Sequence, residues 1–81
     1  NIQKWTVYIL KCSDATHYVG CTKNLNERIG RHNSGEVQYT KSRLPVEPIL
    51  YLVFTDKYKA FFFEKYLKSG SGRAFSKKHF L

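Results

Sequence analysis

Acidic residues are scarce in this 81-residue chain: six Asp and Glu stand against 14 Lys and Arg, a net charge of +8. Such a surplus does not dictate a fold, but it attracts polyanions such as nucleic acid or an anionic membrane surface. Cysteine is also scarce. Cys12 and Cys21 show no CxxC spacing and no partner cluster, which argues against a disulfide framework or a zinc site. They read as two small, half-buried thiols. His17, His32 and His79 are too scattered for a metal cluster. No apolar run approaches the ~20 residues a bilayer span requires, and no basic start leads into an apolar stretch with a small-residue cleavage site. The expectation is a soluble, cytoplasmic protein with no membrane partner. Repeats and linker-like stretches are absent, so residues 1–81 are expected to form one monomeric domain with one modest core. A domain this small buries only about 60–65% of its unfolded surface. Any substrate is therefore expected on an open face.

What is present falls into recognisable elements. Residues 5–12 (WTVYILKC) are rich in β-branched and aromatic residues and read as a strand. Ser13, Asp14 and Ala15 supply turn chemistry, and residues 17–21 form a second, shorter strand. Asn24 is placed to cap a helix, with Glu27 set to reach back to it. Leu25, Arg28, Ile29 and His32 then share one stripe, and residues 33–35 end the helix. Residues 36–47 are irregular and basic. Residues 48–54 (PILYLVF) barely alternate, as expected of a strand covered on both faces. Asp56 caps a second helix over residues 57–68. Residues 69–72 (SGSG) are expected to break it before a short helix over residues 73–79.

The fold class is therefore α+β, in the order β-β-α-β-α plus a short C-terminal helix.

The hairpin has a further consequence. Opposed residues of paired strands share a face, so a three-residue turn pairs Cys12 with Thr16, Leu10 with Tyr18 and Tyr8 with Gly20. That register places both tyrosines on one face, gives Gly20 a structural role beside the Tyr8 ring, and points the two cysteines to opposite faces.

Tyr8, Tyr18-Val19-Gly20, Asn24-Leu25-x-x-Arg28-x-x-x-His32-Asn33 and Glu64 resemble, in order and spacing, the GIY-YIG nuclease superfamily. The similarity runs from about residue 7 to residue 78. It is strongest to small single-domain members with a KSGSGRAF-like tail, here residues 68–75, and extends to the nuclease domain of the bacterial excision-repair C subunit. The resemblance implies a small three-stranded antiparallel sheet flanked by helices. It also implies a metal-dependent endonuclease of DNA repair or recombination, using one Mg²⁺ (or Mn²⁺). The implied catalytic residues are Tyr8, Tyr18, Arg28, His32 and Glu64, with Glu64 the metal ligand. The sequence departs from the pattern at three places. Cys21 stands where some relatives carry a lysine, Ser76 is nearest to an expected asparagine, and Phe61-Phe62-Phe63 replaces residues that are often polar.

Chemically, Arg28 can offer a fork of donors to a phosphate, and cations near a phenol favour phenolate while burial opposes it. Which of Tyr8, Tyr18 and His32 acts as base stays open. Lys23, Lys41, Arg43, Lys68, Arg73, Lys77 and Lys78 form a basic surface expected to hold a nucleic-acid backbone, DNA first and RNA as the other option. The amides of residues 70–72 are a further candidate phosphate contact. Two other classes compete with a nuclease. One is a non-catalytic nucleic-acid-binding module of the same fold. The other is an interaction domain or dimer using Phe61, Phe62 and Phe63.

Overall fold

A computed structural model describes residues 3–81. The order is β1 (Trp5–Lys11), β2 (His17–Thr22), α1 (Leu25–Asn33), β3 (Glu47–Phe54), α2 (Lys57–Lys68) and α3 (Gly70–His79). The three strands form one antiparallel sheet in the order β2-β1-β3. β1 is central and almost wholly buried, with Val7, Tyr8, Ile9 and Leu10 each at most 2% exposed.

Alternation along β1 divides the interior in two. Val7 and Ile9 pack with Ala60 and Leu67 of α2, together with Val19, Cys21, Phe54 and Phe63. Tyr8, Leu10 and Cys12 point the other way, into Val46, Tyr18, and Leu25 and Ile29 of α1. The cysteines thus lie on opposite faces as free thiols.

The hairpin register is the expected one: Tyr8 faces Gly20 and Leu10 faces Tyr18. The Cys12 amide donates to the Thr16 carbonyl at 2.8 Å, closing a turn over residues 13–15. Ala15 ends that turn at φ 68°, the left-handed conformation that three-residue hairpin loops require there. Asp14 accepts from the Thr16 amide and, at 3.1 Å, from Arg43 Nε. The turn is thereby braced against the loop of residues 36–46.

Capping follows the sequence with one difference. Asn24 accepts from the Glu27 amide at 3.1 Å, but the Asn24 amide is bound by Thr22 Oγ1 at 3.2 Å instead of by Glu27. One expectation fails and one boundary shifts. The third strand is not covered on both faces. It is a sheet edge, and Ile49, Tyr51, Leu52 and Val53 are 39–58% exposed, because α1 and α2 reach mainly the β1–β2 side. The SGSG stretch ends α2 at Lys68 as expected, but the last helix starts at Gly70 instead of Arg73. Ser69 ends α2 and caps α3, its Oγ accepting from the Gly72 amide at 3.1 Å. That bond takes one of the amides expected to be free for phosphate. The corner that follows needs glycine at position 72. A Cβ on Gly72 would fall on the Tyr66 carbonyl and 2.7 Å from Leu67 Cα. No helix among the described residues is long and apolar enough to cross a membrane.

An alanine held at positive φ costs about 1 kcal/mol that glycine does not incur. Ala15→Gly is therefore expected to leave stability unchanged or raise it by up to about 1 kcal/mol, after the entropy glycine adds to the unfolded chain. Urea unfolding measures this, and a loss above 1 kcal/mol would contradict the turn geometry.

Candidate active site

The second face of the sheet gathers four of the five side chains singled out from sequence. Tyr8 comes from the central strand and Tyr18 from its neighbour, with ring centroids 6.3 Å apart. Arg28 and His32 come from α1, one turn apart. His32 is fully buried, its ring 4.9 Å from that of Tyr18. Gly20 makes room for the arrangement: a Cβ there would lie 2.5 Å from Tyr8 Cζ. The space left by the missing Cβ of Gly20 is filled by the Tyr8 phenol itself.

Hydrogen bonds assign the His32 tautomer. Thr40 Oγ1 lies 2.7 Å from His32 Nδ1 and 3.5 Å from the Val37 carbonyl, to which it donates. Nδ1–H therefore donates to Thr40, and the bare Nε2 accepts from the Tyr8 hydroxyl at 3.3 Å. The chain Tyr8 to His32 to Thr40 to Val37 ties β1 to α1 and to the following loop. Asn33 adds a second tie, since its Oδ1 accepts from the Val46 amide at 3.0 Å.

Electrostatics sort the two phenols. Burial pushes the Tyr8 hydroxyl above its usual 10.0, and the neighbouring Arg28 guanidinium only partly offsets this. Tyr8 thus keeps its proton. Tyr18 is only half-buried. Burial, with the Arg28 charge adding to it, holds His32 below its ordinary 6.5, so it is neutral at pH 7. Arg28 in turn is held firmly charged by the adjacent phenols, Tyr8 more than Tyr18. Its Nε is buried and has no hydrogen-bond partner among the described residues. A buried donor left unpaired costs about 1–3 kcal/mol, more when charged, a cost that an anion bound there would relieve.

Residues 4–78 match the GIY-YIG catalytic domain. The chain belongs to the GIY-YIG family. It is similar to the UPF0213 protein YsiG of Lactococcus lactis, 41% identical over 68 residues that cover 83% of this chain and 65% of that protein. A Streptococcus pyogenes relative, UPF0213 protein SpyM50708, is 38% identical over 89% of this chain and 79% of its own. The solution NMR structure of UPF0213 protein BH0048 from Bacillus halodurans has a TM-score of 0.59 at 33% identity, covering 93% of this chain and 81% of that one. None of these names states a reaction or a substrate.

In this GIY-YIG domain Glu64 approaches from α2, the helix on the opposite face of the sheet. It pairs with Lys68 at 3.1 Å. Its charge raises the Cys21 thiol, after burial, and is the smallest of the influences on Tyr8. Cys21 therefore stays a neutral thiol where some relatives carry a lysine.

No group of three or more His, Cys, Asp or Glu able to hold a metal occurs among the described residues. A lone carboxylate fits Mg²⁺ nonetheless, since that ion keeps several waters and is often held by one or two carboxylates plus substrate phosphate.

Several of the predicted backbone contacts have other partners. Arg43 binds Asp14 and lies 4.3 Å over the Tyr39 ring. Lys68 is shared with Glu64, and Lys23 sits 5.1 Å over Trp5. Of the phenylalanines, Phe62 is 73% exposed, Phe61 packs edge-on against Trp5, and Phe63 belongs to the core. Thr40 escaped the sequence reading because it lies in an irregular loop, where no periodicity marks a buried residue.

The pH dependence of stability follows from His32. Its folded pKa is depressed, so below 6.5 the unfolded chain takes up more protons than the folded one, and stability falls with pH. Chemical unfolding from pH 7 to pH 5 is expected to show a decline that His32→Gln flattens. An unchanged slope in the variant would contradict the buried neutral imidazole.

Proposed function

We propose that this GIY-YIG domain hydrolyses phosphodiester bonds in DNA with the help of a single divalent ion. The observation that carries the proposal is the buried, unpartnered Nε of Arg28, set beside two phenols on a strongly basic protein. A phosphate oxygen would satisfy that donor, and the guanidinium fork would counter the charge that builds on the phosphorus oxygens in the transition state.

The division of labour follows from exposure. Tyr18, half-buried and next to Arg28, takes the proton of the attacking water. Tyr8, buried and bonded to His32, keeps its proton and anchors the guanidinium. His32 orients Tyr8 as a neutral acceptor. Glu64 would hold the Mg²⁺ or Mn²⁺ ion, which when bound neutralises phosphate charge and steadies the departing oxygen. Unpaired lysines add sequence-independent backbone contacts.

Supercoiled plasmid incubated with Mg²⁺ or Mn²⁺ is expected to be nicked, and chelator is expected to stop the reaction. Arg28→Ala and Glu64→Gln should each lower the rate by about 10²-fold or more, with plasmid binding in chelator kept within a few-fold. Wild type that binds but never cuts under either metal would leave a binding module. Variants that nick like wild type would remove both residues from the reaction.

A further inference from the structure

The free edge of β2 carries an open groove of about 500 Å³, of whose lining the chemistry above uses Tyr18 but neither Tyr39 nor Ser76. Tyr18 and Tyr39 line it together with Lys68, Arg73 and Ser76 from the corner between α2 and α3. Ser76 is 5% exposed, and its Oγ has no hydrogen-bond partner among the described residues. A buried hydroxyl left unpaired in a ligand-sized groove marks a missing acceptor or donor. Arg73 forms no ion pair among the described residues, so a full positive charge stands in the same lining. Tyr39 is 42% exposed, 5.5 Å from Tyr18, and held from behind by Arg43. It therefore offers aromatic surface that is already positioned.

We propose that this groove holds one unpaired nucleotide, its phosphate at Arg73 and the Ser76 hydroxyl and its base against the Tyr18–Tyr39 pair. Three observations lead there. A volume of this size suits a single small ligand and is far too small for a duplex. Aromatic surface interleaved with cations is how proteins hold single strands without reading sequence. Tyr18 belongs to both the groove and the candidate active site, so the bound nucleotide lies next to the phosphate to be cut. That last point alone rests on the nuclease reading. The substrate class it implies is DNA with a single-stranded segment at the cleavage point, in preference to intact duplex.

Fluorescence anisotropy in chelator, using a labelled 12-nucleotide oligothymidylate and a 12-base-pair blunt duplex, tests the groove without any cleavage. Tyr39→Ala and Arg73→Gln are expected to weaken oligothymidylate binding about tenfold and duplex binding less than twofold. Arg73→Gln should also reduce the slope of log affinity against log salt by about 1 for the single strand. Ser76→Ala should weaken the single strand while leaving thermal stability equal or higher, because it removes an unsatisfied polar atom. A purely structural serine would show the reverse. Single-strand affinity unchanged in all three variants, or equal losses on both probes, would overturn the groove. Selective binding losses in a protein that never cuts plasmid would sink the nuclease reading and leave the groove standing. Cleavage by a protein whose groove variants bind as wild type would do the opposite.

Discussion

The site depends on a single fitted contact: the phenol of Tyr8 lies across the bare Cα of Gly20 and hydrogen-bonds to a fully buried His32. Any side chain at position 20 would push the ring out of the sheet face. The contact needs Tyr8 opposite Gly20, and that register in turn needs a three-residue turn. Ala15 holds this turn in a conformation uncommon for a residue with a side chain. With Tyr8 seated, the bonds through His32 and Thr40 fix α1 and the loop after it, and α1 carries Arg28 to its place.

The same burial that secures Tyr8 also decides its chemistry. Desolvation outweighs the neighbouring guanidinium, so the buried phenol is a poor base and a good anchor. The half-buried Tyr18 is left as the phenol that water can reach. Arg28 has no local partner for its buried Nε, and a bound anion would offset the cost of that unpaired donor. Glu64 sits across the sheet, paired with Lys68, and feels the phenols only at a distance.

Strong local signals were readable in the chain itself. Asn24 and Asp56 announced the starts of α1 and α2, and the runs around Tyr8 and Tyr18 announced the hairpin and its register. The gathering of Tyr8, Tyr18, Arg28 and His32 was legible because strand alternation and helical spacing each assign a face. Features created by tertiary packing were not. The apolar run of β3 looked doubly covered, but whether a strand is central or an edge depends on topology, which its own residues do not encode. Gly70 and Gly72 looked like helix breakers. In the fold both are helical, and Gly72 permits a helix corner too tight for a Cβ. Thr40 left no pattern at all, since its partner lies eight residues back on another element.

The most direct test of a phosphate seat at Arg28 is the ¹⁵N–¹H resonance of its Nε–H, followed while a short phosphodiester such as thymidylyl-thymidine is added in chelator. Occupation of the seat predicts a saturable downfield shift and slower exchange of that proton with water. An Nε–H signal that never moves, while lysine resonances elsewhere respond to the same titration, would show that the phosphate binds somewhere else.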